Sequence, residues 1–274
     1  MHKRRDNLAI RFVVYIVLAL ALIFFLFPVF WMLVTSFKSQ QEFFASPPVF
    51  IPSKIGLHNY VGAMIPPPDG RNGFKSLTDS FIVASSTTVL ALIIGAPAAY
   101  SLARWRTGGE DLSFWILSTR MFPPVASALP LFFVFQRLRL LDTYPVLIIA
   151  NTIFVLSFVI WMLRGYFEDL PTELEEAALI DGCGSFRAFT LIALPLVAPG
   201  LVATTLFAFI FTWNEFLFAL LLTRRLVRPL TVMVPSLVGG HEILWGEIAA
   251  SGIIAIVPVV ALALILQRYL IRGL

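Results

Sequence analysis

The chain has 274 residues, of which 59% are hydrophobic and only 13% charged, where a soluble domain carries roughly a quarter charged residues. That deficit excludes an ordinary soluble domain. The net charge of +4 does not point to nucleic acid, because the bases stand at the ends of apolar runs, where lipid headgroups account for them.

Several apolar runs exceed the ~20 residues a helix needs to cross a ~30 Å hydrocarbon core. In lipid each backbone amide needs a partner within its own segment, so these runs are expected to be helices. A single cysteine, Cys183, leaves no internal disulfide. His2, His58 and His241 are scattered without metal-ligand spacing, so no metal is expected.

Met1 to Arg11 is a short basic tail with Lys3, Arg4, Arg5 and Arg11, expected on the cytoplasmic side. The first span follows at about residues 12–37. It is too long for a cleavable signal core of about 7–15 residues, and no small-residue cleavage site ends it, so it reads as retained. Pro28 is expected to kink it. Residues 38–79 hold Pro47, Pro48, Pro52, Pro66, Pro67, Pro68 and Gly70, which allow only short helical turns in an extracytoplasmic loop. That loop is either a connector or a partner contact.

The second span is expected at about 80–103, ended by Arg104 and Arg106, with a turn at Gly108-Gly109. The third, about 112–136, carries Pro123, Pro124 and Pro130 and is expected to bend. Arg120 lies one to two turns inside it, and snorkelling to the headgroups is the favoured reading over a substrate role. Asp142 is expected to cap the fourth span, about 143–163. A polar loop at 165–197 precedes the fifth span, about 198–222. A polar stretch with Gly239-Gly240 leads to the sixth, about 248–267, which Pro258 is expected to bend. Gln267, Arg268 and Tyr269 sit at its interface. Six spans place both termini and the 165–197 loop on the cytoplasmic side. Ten Lys/Arg then fall inside and nine outside, so the N-terminal tail carries that orientation.

The 165–197 loop is the polar island of the chain, with Glu168, Asp169, Glu173, Glu175, Glu176 and Asp181 crowding its start. Thr172 and Glu175 fit a capping box, with Asp169 as an alternative start. A short helix to about Ile180 puts Leu174, Ala177, Ala178 and Asp181 on one face. Gly182 suits a left-handed helix end, and Ser185 can cap a second helix. A face of small alanines edged by acids suits helix-in-groove recognition by a partner. The other reading, a hairpin lying on the membrane, is disfavoured because anionic lipid repels acids.

The spacing Glu176-Ala177-Ala178, Gly182, Ile192, Leu194, Pro195 resembles the EAA motif of binding-protein-dependent ABC import permeases at every position. Ser36-Phe37-Lys38, Asn59-Tyr60, Asp142-Thr143-Tyr144, Trp213-Asn214-Glu215-Phe216 and Gln267-Arg268-Tyr269 resemble the MalG-type carbohydrate permease subfamily, over nearly the whole chain. The resemblance implies an all-α membrane protein of six transmembrane helices with the type I importer, MetI-like fold. It implies that Glu176, Ala177, Ala178, Asp181, Gly182, Ile192, Leu194 and Pro195 form the coupling loop to an ATPase. The implied partners are a second, similar permease, two cytoplasmic ATPase subunits that use ATP and Mg, and an external solute-binding protein that delivers a sugar. The chain also resembles a trehalose-importer permease, although neither spacing nor composition identifies the sugar. Relatives often continue past the final Arg-Gly, whereas this sequence stops at Leu274, so the resemblance does not extend to a tail contact with an ATPase.

The chain carries no Gly-x4-Gly-Lys-Ser/Thr phosphate cradle, so it is not expected to hydrolyse ATP or to be catalytic. Trp213, Asn214 and Glu215 are candidates for the substrate pathway, since a charged residue inside a span is a functional candidate. The competing reading of Glu215 is interfacial anchoring with Arg224 or Arg225. A stand-alone secondary transporter is the alternative function, but it would call for internal repeats and midplane ion-coupling groups that are not evident. An intramembrane enzyme would need a Ser/His pair or paired aspartates, which do not appear.

Overall fold

The computed structural model describes residues 3–65, 72–238 and 243–272. The expectations on Met1, His2, Pro66, Pro67, Pro68, Gly70, Gly239, Gly240, His241, Gly273 and Leu274 lie outside the described residues, as do those on the side chains of Lys3, Arg4, Arg5 and Tyr269. Regular structure among the described residues is helical, apart from one isolated antiparallel bridge between Val238 and Ile243. Four helices are long and apolar enough to cross a membrane, and up to six if each of two bent pairs counts as one span.

The chain divides into two units. The first comprises Met1–Gly73 and Val234–Ile256. It contains α1 (Lys3–Thr35), the short α2 (Gln40–Phe43) and α3 (His58–Met64), and the start of the last long helix, Trp245–Arg272. The proline-rich segment is more ordered than a plain connector. Asn59 donates to the carbonyls of Ser36 and Lys38, both at 2.9 Å, and Ser36 Oγ bonds Tyr60 Oη at 2.8 Å. Lys38 is buried over the Trp31 ring, 3.9 Å from its centre. Burial pushes its ammonium below the ordinary value, against the pull of Glu42. Glu42 accepts the backbone amides of Ser53 and Ser39, which hold its carboxyl down at about 2.

The second unit, Phe74–Met233 and Val257–Leu274, carries the bundle. Helix α4 (Gly73–Trp105) starts well before residue 80 and runs through Pro97. It packs on α7 (Tyr144–Glu168) through Ala91, Ala96 and Ala99 against Val155, Val159 and Leu163. Small residues allow such close approach: a Cβ on Gly95 would stand 2.6 Å from Val159 Cγ1. A second core cluster joins Ala128 and Phe135 to Val146, Leu147, Ala150, Phe218, Ala219 and Leu222.

Two expected spans are broken. The third is α5 (Gly109–Thr119) and α6 (Pro124–Arg137), which meet at 84° across Arg120–Pro123. Pro124 starts α6 with the fixed φ suited to a first turn, and α6 runs on through Pro130. The fifth is α11 (Ala198–Trp213) and α12 (Leu217–Leu222) rather than one helix over 198–222. Here Glu215 is the cause. Its carboxylate accepts the amides of Phe218 at 2.8 Å and Ala219 at 3.2 Å, which caps a new helix start. The Glu215 carbonyl takes the Thr231 hydroxyl at 2.7 Å.

Asp142 does not cap α7. Thr143 occupies that position, and Asp142 stands at φ 62°, which turns its carboxylate to the loop after α12. There it accepts the amides of Arg224 at 2.9 Å, Arg225 at 3.0 Å, Leu226 at 3.0 Å and Val227 at 3.3 Å. Burial pushes its carboxyl up, but these amides together hold it below the ordinary value.

Candidate functional site

The loop after α7 folds into α8 (Glu173–Ile180), α9 (Ser185–Ala188), a π-helical turn Phe189–Ala193 and α10 (Leu194–Leu196). Thr172 has helical backbone angles and no side-chain cap bond, so the expected capping box does not form. Its intended partner Glu175 points inward and is only 7% exposed. Glu175 accepts Arg104 Nε at 2.9 Å and Nη2 at 2.7 Å, together with the Tyr100 hydroxyl. Arg104 also donates to the Leu170 carbonyl at 3.1 Å. Both charged side chains of this pair are 9% exposed. Below them Tyr100, Phe167 and Phe189 form an aromatic seat, with Tyr100 at 5.4 Å from Phe167 and 4.9 Å from Phe189 between ring centres.

The far end of α8 closes in a Schellman turn. Gly182 donates to Leu179 O at 3.1 Å and Cys183 to Ala178 O at 3.0 Å, and Gly182 sits at φ 86°, where an L side chain is strained. Gly184, with extended angles, precedes the second helix, so Ser185 is its first residue and not its cap. A bend of 77° between Ser185–Leu196 and Ala198–Trp213 then redirects the chain.

The expected coupling residues divide. Glu176, Ala177, Asp181 and Pro195 are exposed, and Ile192 and Leu194 are half-buried. Ala178 is 7% exposed against the body, so the two alanines do not share an accessible face. The outward surface instead adds Ile180 and Phe186, which are largely exposed.

A cavity of about 270 Å³ lies between Arg120, Pro124, Asn151, Phe154, Val155, Phe158, Phe211, Glu215 and Phe218. Of the three expected pathway residues only Glu215 lines it. Trp213 is buried and stacked on Phe209 at 5.5 Å, and Asn214 is exposed, donating to Ile210 O at 2.8 Å. The carboxylate of Glu215 is engaged by backbone amides rather than by Arg224 or Arg225, so the anchoring reading is not met. Arg120 does not snorkel to an end. Its guanidinium carbon lies 4.7 Å from the centre of the Phe158 ring and 5.3 Å from that of Phe211. Phe158 is ten residues, ~15 Å at the helical rise, from the Glu168 end of α7.

Sequence reasoning missed the Arg104–Glu175 pair and most of the cavity. The signal for the pair was present: Glu175 and Ala178 stand three apart, on the face away from Glu176 and Ala177. A carboxylate on a buried face demands a base.

A model of the binding-protein-dependent transport system inner membrane component family matches residues 1–274. The trehalose/maltose transport system permease protein MalG of Thermococcus litoralis is 36% identical over 273 residues, 98% of this chain and 97% of that protein. The trehalose transport system permease protein SugB of Mycobacterium tuberculosis is 34% identical over 253 residues, 91% of this chain and 90% of that protein. A chain from the crystal structure of a bacterial ABC transporter involved in the import of the acidic polysaccharide alginate superposes with a TM-score of 0.79. The match covers 97% of this chain and 98% of that one, at 24% identity.

Proposed function

The chain belongs to the family of binding-protein-dependent transport system inner membrane components, and from that premise we propose that it is one permease subunit of an ATP-driven sugar importer. It is a multi-pass membrane protein with the MetI-like fold and performs no chemistry of its own. It forms half of the translocation path and pairs with a second, similar permease, as a heterodimer. Two ATPase subunits on the cytoplasmic side hydrolyse ATP with Mg, and an external binding protein delivers the sugar. Both termini and α8 face the cytoplasm. The relatives transporting trehalose and maltose support a disaccharide of that kind.

The observation that carries the coupling role is the construction of α8. Its outer side presents Glu176, Ala177, Ile180 and Asp181 to a partner, while Glu175 ties its inner side to α4 through Arg104. An ATPase groove that grips α8 differently in its open and closed states moves the bundle by that difference in affinity. The residues Gly182, Ile192, Leu194 and Pro195 shape the turn and the return into α11, and Ala178 seats the helix.

The test is site-directed cross-linking in a Cys183→Ser background. Cysteine at Ala177 should capture the ATPase subunit in membranes, and cysteine at Ala178 should not. Glu176→Lys should abolish ATP-driven uptake of labelled trehalose or maltose while the protein still inserts. Uptake that persists in vesicles lacking the ATPase subunits would favour a stand-alone transporter and overturn the reading.

A further inference from the structure

We propose that the cavity between the two helix breaks is a sugar subsite on the translocation path. In it Arg120, Asn151 and Glu215 hydrogen-bond the hydroxyls of one neutral sugar ring that packs against Phe154. The inference rests on the reading of the chain as a sugar permease and adds to it which residues touch the cargo.

Four observations converge on this cavity. Both broken spans end at it: Arg120 and Pro124 from the 84° break, Phe211, Glu215 and Phe218 from the break between α11 and α12. Irregular backbone at membrane depth is tolerated where it lines a cavity, and interrupted helices mark transporter binding sites. The level is mid-helix, since Asn151 and Phe158 lie seven and fourteen residues into the 25-residue α7.

Arg120 supplies the unused donors. Among the described residues its guanidinium has no carboxylate partner, only the faces of Phe158 and Phe211. The rings fix its plane and leave its five N–H groups for a ligand. Asn151 is 4% exposed and uses its amide donor on Leu147 O at 2.9 Å, which leaves its carbonyl to accept. Glu215 keeps lone pairs beyond the two backbone amides it takes.

The lining is also aromatic. Phe154 is half-buried and is backed by the buried Phe218, 5.0 Å away between ring centres at 31°, so its other side offers a surface that suits the C–H face of a sugar.

Charge and size select the ligand. One cation and one anion line the same space, so a neutral polyol meets both donors and acceptors, whereas an acidic sugar that gains Arg120 faces Glu215. The volume of about 270 Å³ is below the about 300–1,000 Å³ of pockets for drug-sized ligands. It takes one ring rather than an oligosaccharide. Few polar contacts also suit a site that must release its cargo.

The experiment uses the purified complex of both permeases and both ATPase subunits, without the binding protein, which would otherwise set the apparent affinity. Equilibrium binding of labelled trehalose, maltose and a diuronate is measured for wild type, Arg120→Gln, Arg120→Lys and Phe154→Leu. Arg137→Gln, in the last turn of α6, is the control, and thermal melting of each variant checks folding. Wild type should bind a neutral disaccharide. Arg120→Gln should weaken it about tenfold to hundredfold, the loss of a hydrogen bond to a charged group. Arg120→Lys should recover part, and Arg137→Gln should bind as wild type. Equal affinity in wild type and Arg120→Gln, or no binding by wild type, overturns the subsite. Diuronate binding that alone depends on Arg120 overturns the choice of a neutral ligand. The broader reading is checked separately, by uptake in proteoliposomes with the binding protein added. If uptake proceeds while Arg120→Gln changes nothing, only the subsite fails; if wild type takes up no sugar, the permease reading fails.

Discussion

Glu175→Ala is the most informative single change in this chain. It removes the carboxylate that Arg104 grips at 2.9 and 2.7 Å and that Tyr100 also bonds. Both charged side chains are 9% exposed, so water does not replace the lost partner. Breaking a buried pair from one side costs about 3–5 kcal/mol, because the other charge is left uncompensated. At about 1.4 kcal/mol per factor of ten, the local opening of α8 should rise by roughly two to three and a half decades. Hydrogen exchange of the 173–180 amides, measured by mass spectrometry in detergent, reads this directly. Arg104→Ala should do the same, and the double mutant should reveal a coupling of about 2–3 kcal/mol. Replacing both partners with apolar residues, Arg104→Met with Glu175→Leu, should bring exchange back to within about tenfold of wild type. Exchange in Glu175→Ala within about threefold of wild type would refute the claim that this pair anchors α8.

Gly182→Ala meets no atom within 4 Å, so its cost is backbone strain alone, about 1–2 kcal/mol; exchange at 180–183 should rise about tenfold while insertion is unchanged. Asp142→Asn keeps a residue type that tolerates the positive φ of 62° but removes the charge that holds four amides, and should lower stability by about 1.5–3 kcal/mol. The sign follows from the depressed carboxyl: its contribution is complete above the ordinary value of 3.8 and is lost as pH falls through the depressed one. Melting of wild type should therefore exceed that of Asp142→Asn at neutral pH, and the two should converge only at strongly acid pH. Thr231→Val deprives the Glu215 carbonyl of its 2.7 Å partner at the break before α12, and should cost about 1–3 kcal/mol by melting.

Hydropathy made the long helices legible, because a run such as Ile10–Thr35 admits little but a span. The end of α8 at Gly182 was legible too, since local backbone chemistry decides it. What failed were positions where a side chain takes its partner from far along the chain. Glu175 reads as a capping glutamate until Arg104, 71 residues away, claims it. Asp142 reads as a cap until the loop 82–85 residues on supplies four amides. The bend in the third span was legible in Pro123 and Pro124, but the break in the fifth was not, because the apolar run continues through it. There the Glu215 carbonyl takes its partner from Thr231, sixteen residues on.

These same long-range contacts give the coupling reading its mechanical content. Helix α8 is joined to the bundle in two ways. One is the ion pair to α4. The other is the covalent path through the π turn and the 77° bend into α11. Helix α11 has 16 residues, ~24 Å at the helical rise, and its last turn carries Phe211 to the cavity wall. On the proposed coupling, a push on α8 that is shared between α4 and α11 would shift one wall of the cavity against Phe158 on α7. Arg120 rests on both rings at 4.7 and 5.3 Å, so their separation would take one support from it. The reasoning has a direct check. Cysteines at Phe158 and Phe211, whose native rings pack 5.0 Å apart between centres, should be bridged by a short bifunctional thiol reagent in one nucleotide state of the assembled transporter and not in the other. Equal cross-linking with and without ATP would mean that the movement of α8 does not reach the cavity through α11.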